Sequence, residues 1–286
     1  MKAPTLALII LLFCATTGAA QQSDAADALS RLNQMVTTLH EDLTPQDGYY
    51  LGRAAAAMII QRWRLYTENP ALTTYLNLIC MALAVNSPAP DWFNGYHLAV
   101  LDSPVPNAFS TSSGHIFVTR GMVALATSED MLAAVIAHEL AHVQLAHGIQ
   151  GVNHARLVRS LQEEGARAAA SAERDAAAVE RRRVELQVIA TEMIHTLLDQ
   201  GYSQTQELEA DSLALELLAA AGYAPASLIE ILRILERTQP RQEGIFGTTH
   251  PIPALRIDNA ERKARTYRVP DTRSYRRARF ERMVRN

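Results

Sequence analysis

Apolar residues recur at helical spacing along most of this chain, and short apolar runs of strand length appear in one stretch only. Residues 24–86 read as two or three helices. A weakly amphipathic one covers 25–39, and an alanine-rich one covers 52–68 and stops before Asn69 and Pro70. A third covers 71–85 and stops before Asn86, Ser87 and Pro88. From Tyr96 the character changes: residues 97–101 read as a short apolar strand, and Pro104 and Pro106 break it. Residues 107–110 and 115–119 then flank a polar Thr-Ser-Ser-Gly loop as a hairpin.

Beyond the strands the pattern is helical again. Thr127 and Ser128 offer a hydroxyl cap, Glu129 and Asp130 fill the first turn, and the helix they open runs to about His147 and Gly148. A second stretch covers 153–200 and closes at Gly201; its middle is rich in Ala, Glu and Arg, as in a solvated amphipathic helix or helical hairpin. Ser203 with Gln206 makes a capping box for a helix ending near Gly222. Pro225 opens another as far as Arg237, residues 239–249 form a loop with two glycines, and a last helix follows Pro253.

Composition changes little in this picture. With 286 residues, 48% hydrophobic and 20% charged, the chain can fill one large core or two small ones. Aromatics are only 6%, which favours helices over sheets. A net charge of −3 argues against nucleic acid as a partner.

The first twenty residues stand apart. Lys2 gives a positive start, an apolar run spans 6–13, and Gly18, Ala19 and Ala20 precede Gln21. This pattern reads as a signal peptide cleaved after Ala20, and it places the mature chain, 21–286, in the periplasm or outside the cell. Phe13 stands where a lipid-attachment signal has a small residue, which argues against an anchor at Cys14. Cleavage leaves Cys80 alone, so no disulfide forms within the chain, and its apolar surroundings mark it as a core residue.

The helix opened by Ser128 carries the chemistry. His138, Glu139 and His142 form a His-Glu-x-x-His signature. Histidines at i and i+4 share one helical face, so both imidazoles can reach one metal ion, and Glu139 is placed to act as base on a water beside it. A catalytic zinc takes three protein ligands and keeps one position open. The third ligand must come from elsewhere, and Glu207 and Asp211, again i and i+4, are the best candidates. One would ligate the metal while the other orients a ligand histidine through its free N–H. Glu209 points to another face. His147 falls off the ligand stripe and reads as a surface or packing residue.

Four segments together resemble the group of zinc peptidases that includes the HtpX, BepA, LoiP, Oma-type and CAAX prenyl endopeptidases. They are Asn107 to Ser110 with Gly114 to Gly121; the signature with His147; Glu207 to Asp211; and Thr249, His250, Pro251 and Pro253 to Arg256. They occur in the family's order over roughly 95–260, after N-terminal helices over 21–90. The resemblance implies one Zn²⁺ per chain on His138, His142 and Glu207, with Glu139 as catalytic base and Asp211 behind a ligand. It also implies a zinc-proximal His250, which either assists catalysis or occupies the open position in a latent state.

The fold it implies is α+β and mostly α: a zincin-type domain with a small antiparallel sheet beside the signature helix. Asn107, Phe109 and Ser110 belong either to a core strand or to an edge strand that pairs with extended substrate backbone. The implied activity is endopeptidase action on protein or peptide substrates, in quality control of misfolded or unassembled envelope proteins, membrane-associated ones among them. Some relatives add a C-terminal helical repeat domain; this chain stops soon after Arg256, so repeat-mediated binding does not carry over. The competing expectation is a chaperone-like binding protein that keeps its zinc site, against which Glu139 argues, because a structural site has no use for a base.

Overall fold

The computed structural model describes residues 45–151, 201–238, 250, 254–270 and 272–285. The expected signal peptide, the expected helix over 25–39, the 153–200 stretch and the expected loop over 239–249 lie outside the described residues.

Helix α1 (Pro45–Arg62) starts earlier than its pattern suggests and ends six residues sooner than expected. The residues that follow find better backbone partners on the first strand. Tyr66 N–H donates to the Val100 carbonyl at 2.8 Å, and Asp102 N–H donates to the Arg64 carbonyl at 2.8 Å. Helix α2 (Pro70–Val85) begins where Asn69 and Pro70 dictate, with the Asn69 side chain accepting from the Leu72 N–H.

The strands are β1 (His97–Leu101), β2 (Ala108–Ser110) and β3 (His115–Thr119). The sheet order is β1-β3-β2. The expected antiparallel sheet is therefore corrected to a mixed one: β2 and β3 form the antiparallel hairpin, but β1 pairs with β3 in parallel. The reason is connectivity. Residues 102–107 carry the chain past an empty lane and reverse it into β2; the hairpin reverses it again, so β3 enters that lane running with β1. Asn107 stays outside the strand, where its side chain accepts from the Ala108 N–H.

The alternation of side chains splits the core in two. Leu98, Val100, Ala108, Ile116 and Val118 point into the main cluster with α2 and the signature helix. Leu101, Phe109 and Phe117 point to the other face, against Leu51, Ala55 and Ile59 of α1. Gly52 permits this close seat, since a Cβ there would lie 2.4 Å from the Ser113 nitrogen.

A short helix, α3 (Arg120–Leu125), follows β3 directly. Helix α4 (Glu129–Gln144) carries the signature and is capped by Ser128. Every residue from Glu129 to Val143 is buried, because α2, α5, α6, α8 and the sheet all pack on it. The expected continuation to His147 does not occur. Leu145 caps the helix, Ala146 turns left-handed at φ 55, and residues 147–151 are helical again.

Helix α5 (Gln204–Ala220) has the full Ser203–Gln206 capping box. Helices α6 (Ala226–Thr238) and α7 (Ala254–Ala264) follow as expected. Helix α8 (Arg273–Phe280), continued by a wider turn over Glu281–Arg285, was not signalled by any apolar pattern. It is held by the buried Phe280 and by charge: Arg276 and Arg279 pair with the buried Asp130 and Glu129 at the start of α4. The chain is thus mostly helical, α+β, with a small sheet beside the signature helix. Among the described residues no helix is long and apolar enough to cross a membrane.

Candidate metal centre

His138 and His142 leave the same face of α4, and their rings meet edge to face with centroids 4.6 Å apart. Helix α5 crosses α4 at this level and brings Glu207 and Asp211 in from one side. His250, just ahead of α7, arrives from another. Four donors converge: His138, His142, Glu207 and His250 can each offer one atom within 4.8 Å of the others, and all four are buried.

The spacing of these donors tests whether a metal fits. Nε2 of His142 lies 3.0 Å from Nε2 of His138, which lies 3.2 Å from Nδ1 of His250. Glu207 Oε1 is 2.9 Å from His250 Nδ1 and 3.4 Å from His142 Nε2. Ligand bonds of about 2.0–2.2 Å put tetrahedral zinc donors roughly 3.3–3.6 Å apart, so the edges found here fit such a site, slightly contracted. Three imidazole nitrogens and a carboxylate facing one another suit a divalent cation, and the donor types suit zinc.

Other groups hold these donors. Asp211 Oδ1 lies 3.1 Å from His138 Nδ1, on the side away from the cluster. Arg256, fully buried at the start of α7, donates from Nε and Nη2 to the two Asp211 oxygens, both at 2.7 Å, and its Nη1 pairs with Glu207. Tyr202 stacks on the His142 ring, centroids 3.8 Å apart and planes within 15°. Glu139 is fully buried, with Oε2 accepting from Ser110 Oγ at 3.0 Å and Oε1 3.4 Å from His250 Nε2.

The electrostatics are those of a cation trap. Burial opposes ionisation of Glu207, but His250, Arg256, His138 and His142 outweigh it and hold its carboxyl well below the usual range. Burial likewise opposes ionisation of Asp211, and Arg256 and His138 reverse it. Burial pulls His138 down too, yet Asp211 and Glu207 win and raise it to about 9. Burial keeps His142 neutral, far below its ordinary value. Burial, helped by the charges of Glu139 and Glu207, holds the Tyr202 hydroxyl well above its ordinary range.

All four residues expected to stand at the metal therefore lie together, with Glu139 and Asp211 in contact with them. Of the three expected strand residues, Ser110 reaches Glu139. Asn107 is occupied with Ala108, and the Phe109 side chain packs against Phe117 and Trp63 in the core, which leaves only its backbone to meet any partner. Sequence reasoning missed Arg256, whose one signal was its place at the end of the fourth segment, and Tyr202, which nothing local marks. Of the two expectations for His147, surface or packing, the structure takes the packing one. His147 is fully buried, and what the sequence did not show is its contact with a ligand candidate: its Nδ1 lies 2.9 Å from His142 Nδ1 and its Nε2 3.2 Å from Glu209 Oε2. Thr249 and the segment 251–253 lie outside the described residues.

Comparison with known proteins agrees with this geometry. The chain is 28% identical over 172 residues to the mitochondrial metalloendopeptidase OMA1 of Schizosaccharomyces pombe, covering 58% of this chain and 46% of that protein. It is 29% identical over 168 residues to a putative beta-barrel assembly-enhancing protease of Vibrio cholerae, covering 56% and 33%. It is 29% identical over 153 residues to the metalloprotease LoiP of Escherichia coli, covering 54% and 56%. The matches thus span roughly a third to just over half of these relatives' lengths. The model of peptidase family M48 matches residues 70–264, well over half of the chain, and the chain belongs to that family.

Proposed function

We propose that this protein is a zinc-dependent endopeptidase. It holds one zinc ion per chain on His138, His142 and Glu207, uses Glu139 as base, and keeps His250 as a residue that competes for the fourth position. The observation that carries the reading is the convergence of four buried donors with a buried carboxylate, Glu139, against them. The names of the relatives, metalloendopeptidase and metalloprotease, support the same class.

Bound there, zinc supplies Lewis acidity that polarises a scissile carbonyl and acidifies water. The residues of the chain do the rest. Glu139 takes a proton from the attacking water and hands it to the leaving amine. Ser110 orients that carboxylate through its hydrogen bond to Oε2. Asp211 holds the His138 ring from behind, and Arg256 holds both Asp211 and Glu207 in place. Strand β2, at the edge of the sheet, offers backbone groups to an extended peptide, and Ser110 ties that edge to the base.

The substrates we assign are proteins or peptides, misfolded or unassembled envelope proteins above all, including membrane-associated ones. Support comes from the signal-like leader and from relatives named for enhancing beta-barrel assembly. The setting is the periplasm or the exterior. One observation favours a second reading: four protein donors leave no position for water, as in a latent or purely binding protein that retains its zinc. Metal analysis of purified protein, paired with casein digestion by wild type and Glu139→Gln, decides between them. Cleavage by the wild type alone supports the enzyme; no cleavage by either supports the latent reading.

A further inference from the structure

We infer that His147 and Glu209 are positioning residues for His142: a relay in which His142 Nδ1–H donates to His147 Nδ1 and His147 Nε2–H donates to Glu209. The inference rests on the reading of His142 as a metal ligand.

Helix geometry makes the contact unexpected. Five residues at about 100° each would carry His147 roughly 140° around α4 from His142, with no contact between the rings. The helix instead stops at Gln144, and Ala146 adopts φ 55, a conformation that residues with a Cβ avoid. Such strain persists where the surroundings over-determine it, and here its outcome is specific. It turns His147 back over the end of α4 until the two Nδ1 atoms stand 2.9 Å apart. His147 is fully buried there, and its other nitrogen reaches Glu209 at 3.2 Å.

Proton accounting sets the direction. Two Nδ1 atoms at 2.9 Å need one proton between them. A His142 that offers its Nε2 lone pair to a metal must carry its proton on Nδ1, so His147 accepts. His147 then carries its own proton on Nε2, where it faces the Glu209 carboxylate. The polarity is consistent along all three groups and ends on a carboxylate whose side chain is 54% exposed. Tyr202 clamps the face of the same imidazole, so the relay governs rotation within the ring plane. His138 is oriented differently, by direct contact with Asp211. The two histidine ligands thus draw on separate carboxylates.

The test is zinc affinity, read by chelator competition for wild type, His142→Ala, His147→Leu, His147→Asn and Glu209→Ala, with circular dichroism of the metal-free proteins as the check on folding. His147→Leu is expected to weaken zinc binding about 10–100-fold, the effect usual for partners behind a ligand. His147→Asn, whose Oδ1 stands near the former Nδ1 and accepts the same proton, should recover most of that loss. Glu209→Ala should give a smaller loss that shrinks with added salt. Wild-type affinity in folded His147→Leu, or equal losses in the Leu and Asn variants, overturns the relay alone. If His147→Leu does not fold, unchanged affinity in Glu209→Ala at low salt overturns it. Zinc retained at full affinity by His142→Ala overturns the ligand reading and the relay together.

Discussion

Arg256 grips Asp211 with two parallel hydrogen bonds, both 2.7 Å, and the same guanidinium pairs with Glu207. One buried cation therefore holds both the carboxylate that faces the metal position and the carboxylate behind His138. Removing it leaves two buried negative charges short of their partner. Arg256→Met is expected to destabilise the metal-free protein by about 3–5 kcal/mol, with zinc restoring part of the loss. Urea unfolding with and without zinc checks this, and a change below about 1 kcal/mol would show the pairing to be incidental.

The ligand set predicts a division between binding and catalysis. His138→Ala, His142→Ala and Glu207→Ala should each lower zinc content sharply, whereas Glu139→Gln should keep zinc and fold. That last variant should lose about 10²–10⁴-fold in peptide cleavage, as expected for removal of a general base. Zinc content by atomic absorption and a casein assay on the same preparations report both halves. Near-wild-type cleavage by Glu139→Gln would refute the mechanism.

His250 Nδ1 sits 2.9 Å from Glu207 Oε1 and 3.2 Å from His138 Nε2, among the ligand atoms. If it fills the fourth position, His250→Ala should raise basal proteolysis at matched zinc content. A lower rate would reassign His250 to stabilising the oxyanion. Equal rates would make it a packing residue.

Stability of the metal-free protein should depend on pH through His138. Burial pulls its pKa down, but Asp211 and Glu207 raise it to about 9, above the unfolded value of 6.5. A raised pKa means that the protonated form stabilises the fold. This contribution is complete below pH 6.5 and disappears as pH rises through 9. Thermal melts of chelator-treated protein should therefore fall in Tm across that window, while zinc-loaded protein, whose His138 carries no extra proton, should stay flatter. A rising Tm in the metal-free melts would contradict a charged His138.

Ala146 offers a stabilising change. A left-handed alanine costs about 1–2 kcal/mol, and glycine adopts φ 55 freely at an entropic cost of about 0.5–1 kcal/mol. Ala146→Gly should gain on the order of 0.5–1 kcal/mol and leave zinc affinity unchanged. Urea midpoints measure the first, chelator competition the second. A destabilised glycine variant would mean that the turn after α4 is not left-handed.

Local patterns in the sequence determined a good part of this protein. The i, i+4 spacing put His138 and His142 on one face and Glu207 and Asp211 on another, because 3.6 residues per turn admits no other result. Short apolar runs bounded by prolines and a polar turn marked β1 and β3 with the bounds they have in the fold, and hydroxyl caps located the starts of α4 and α5. Each of these rests on interactions within a few residues, which a short window of sequence contains.

What only the tertiary structure decided are meetings between distant segments. The parallel pairing of β1 with β3 depends on which lane the chain leaves empty, and no residue in either strand encodes that. The early end of α1 depends on backbone partners offered by β1. Helix α8 buries only Phe280 of its own residues; two buried carboxylates on α4 hold it as well, and their need for a cation is invisible at Arg276 or Arg279. The same holds for Arg256 between Glu207 and Asp211, and for His147, which a strained Ala146 turns onto His142. A buried charge or a left-handed alanine is unfavourable in isolation. It becomes stable only when the partners that offset its cost have been brought in from elsewhere in the chain.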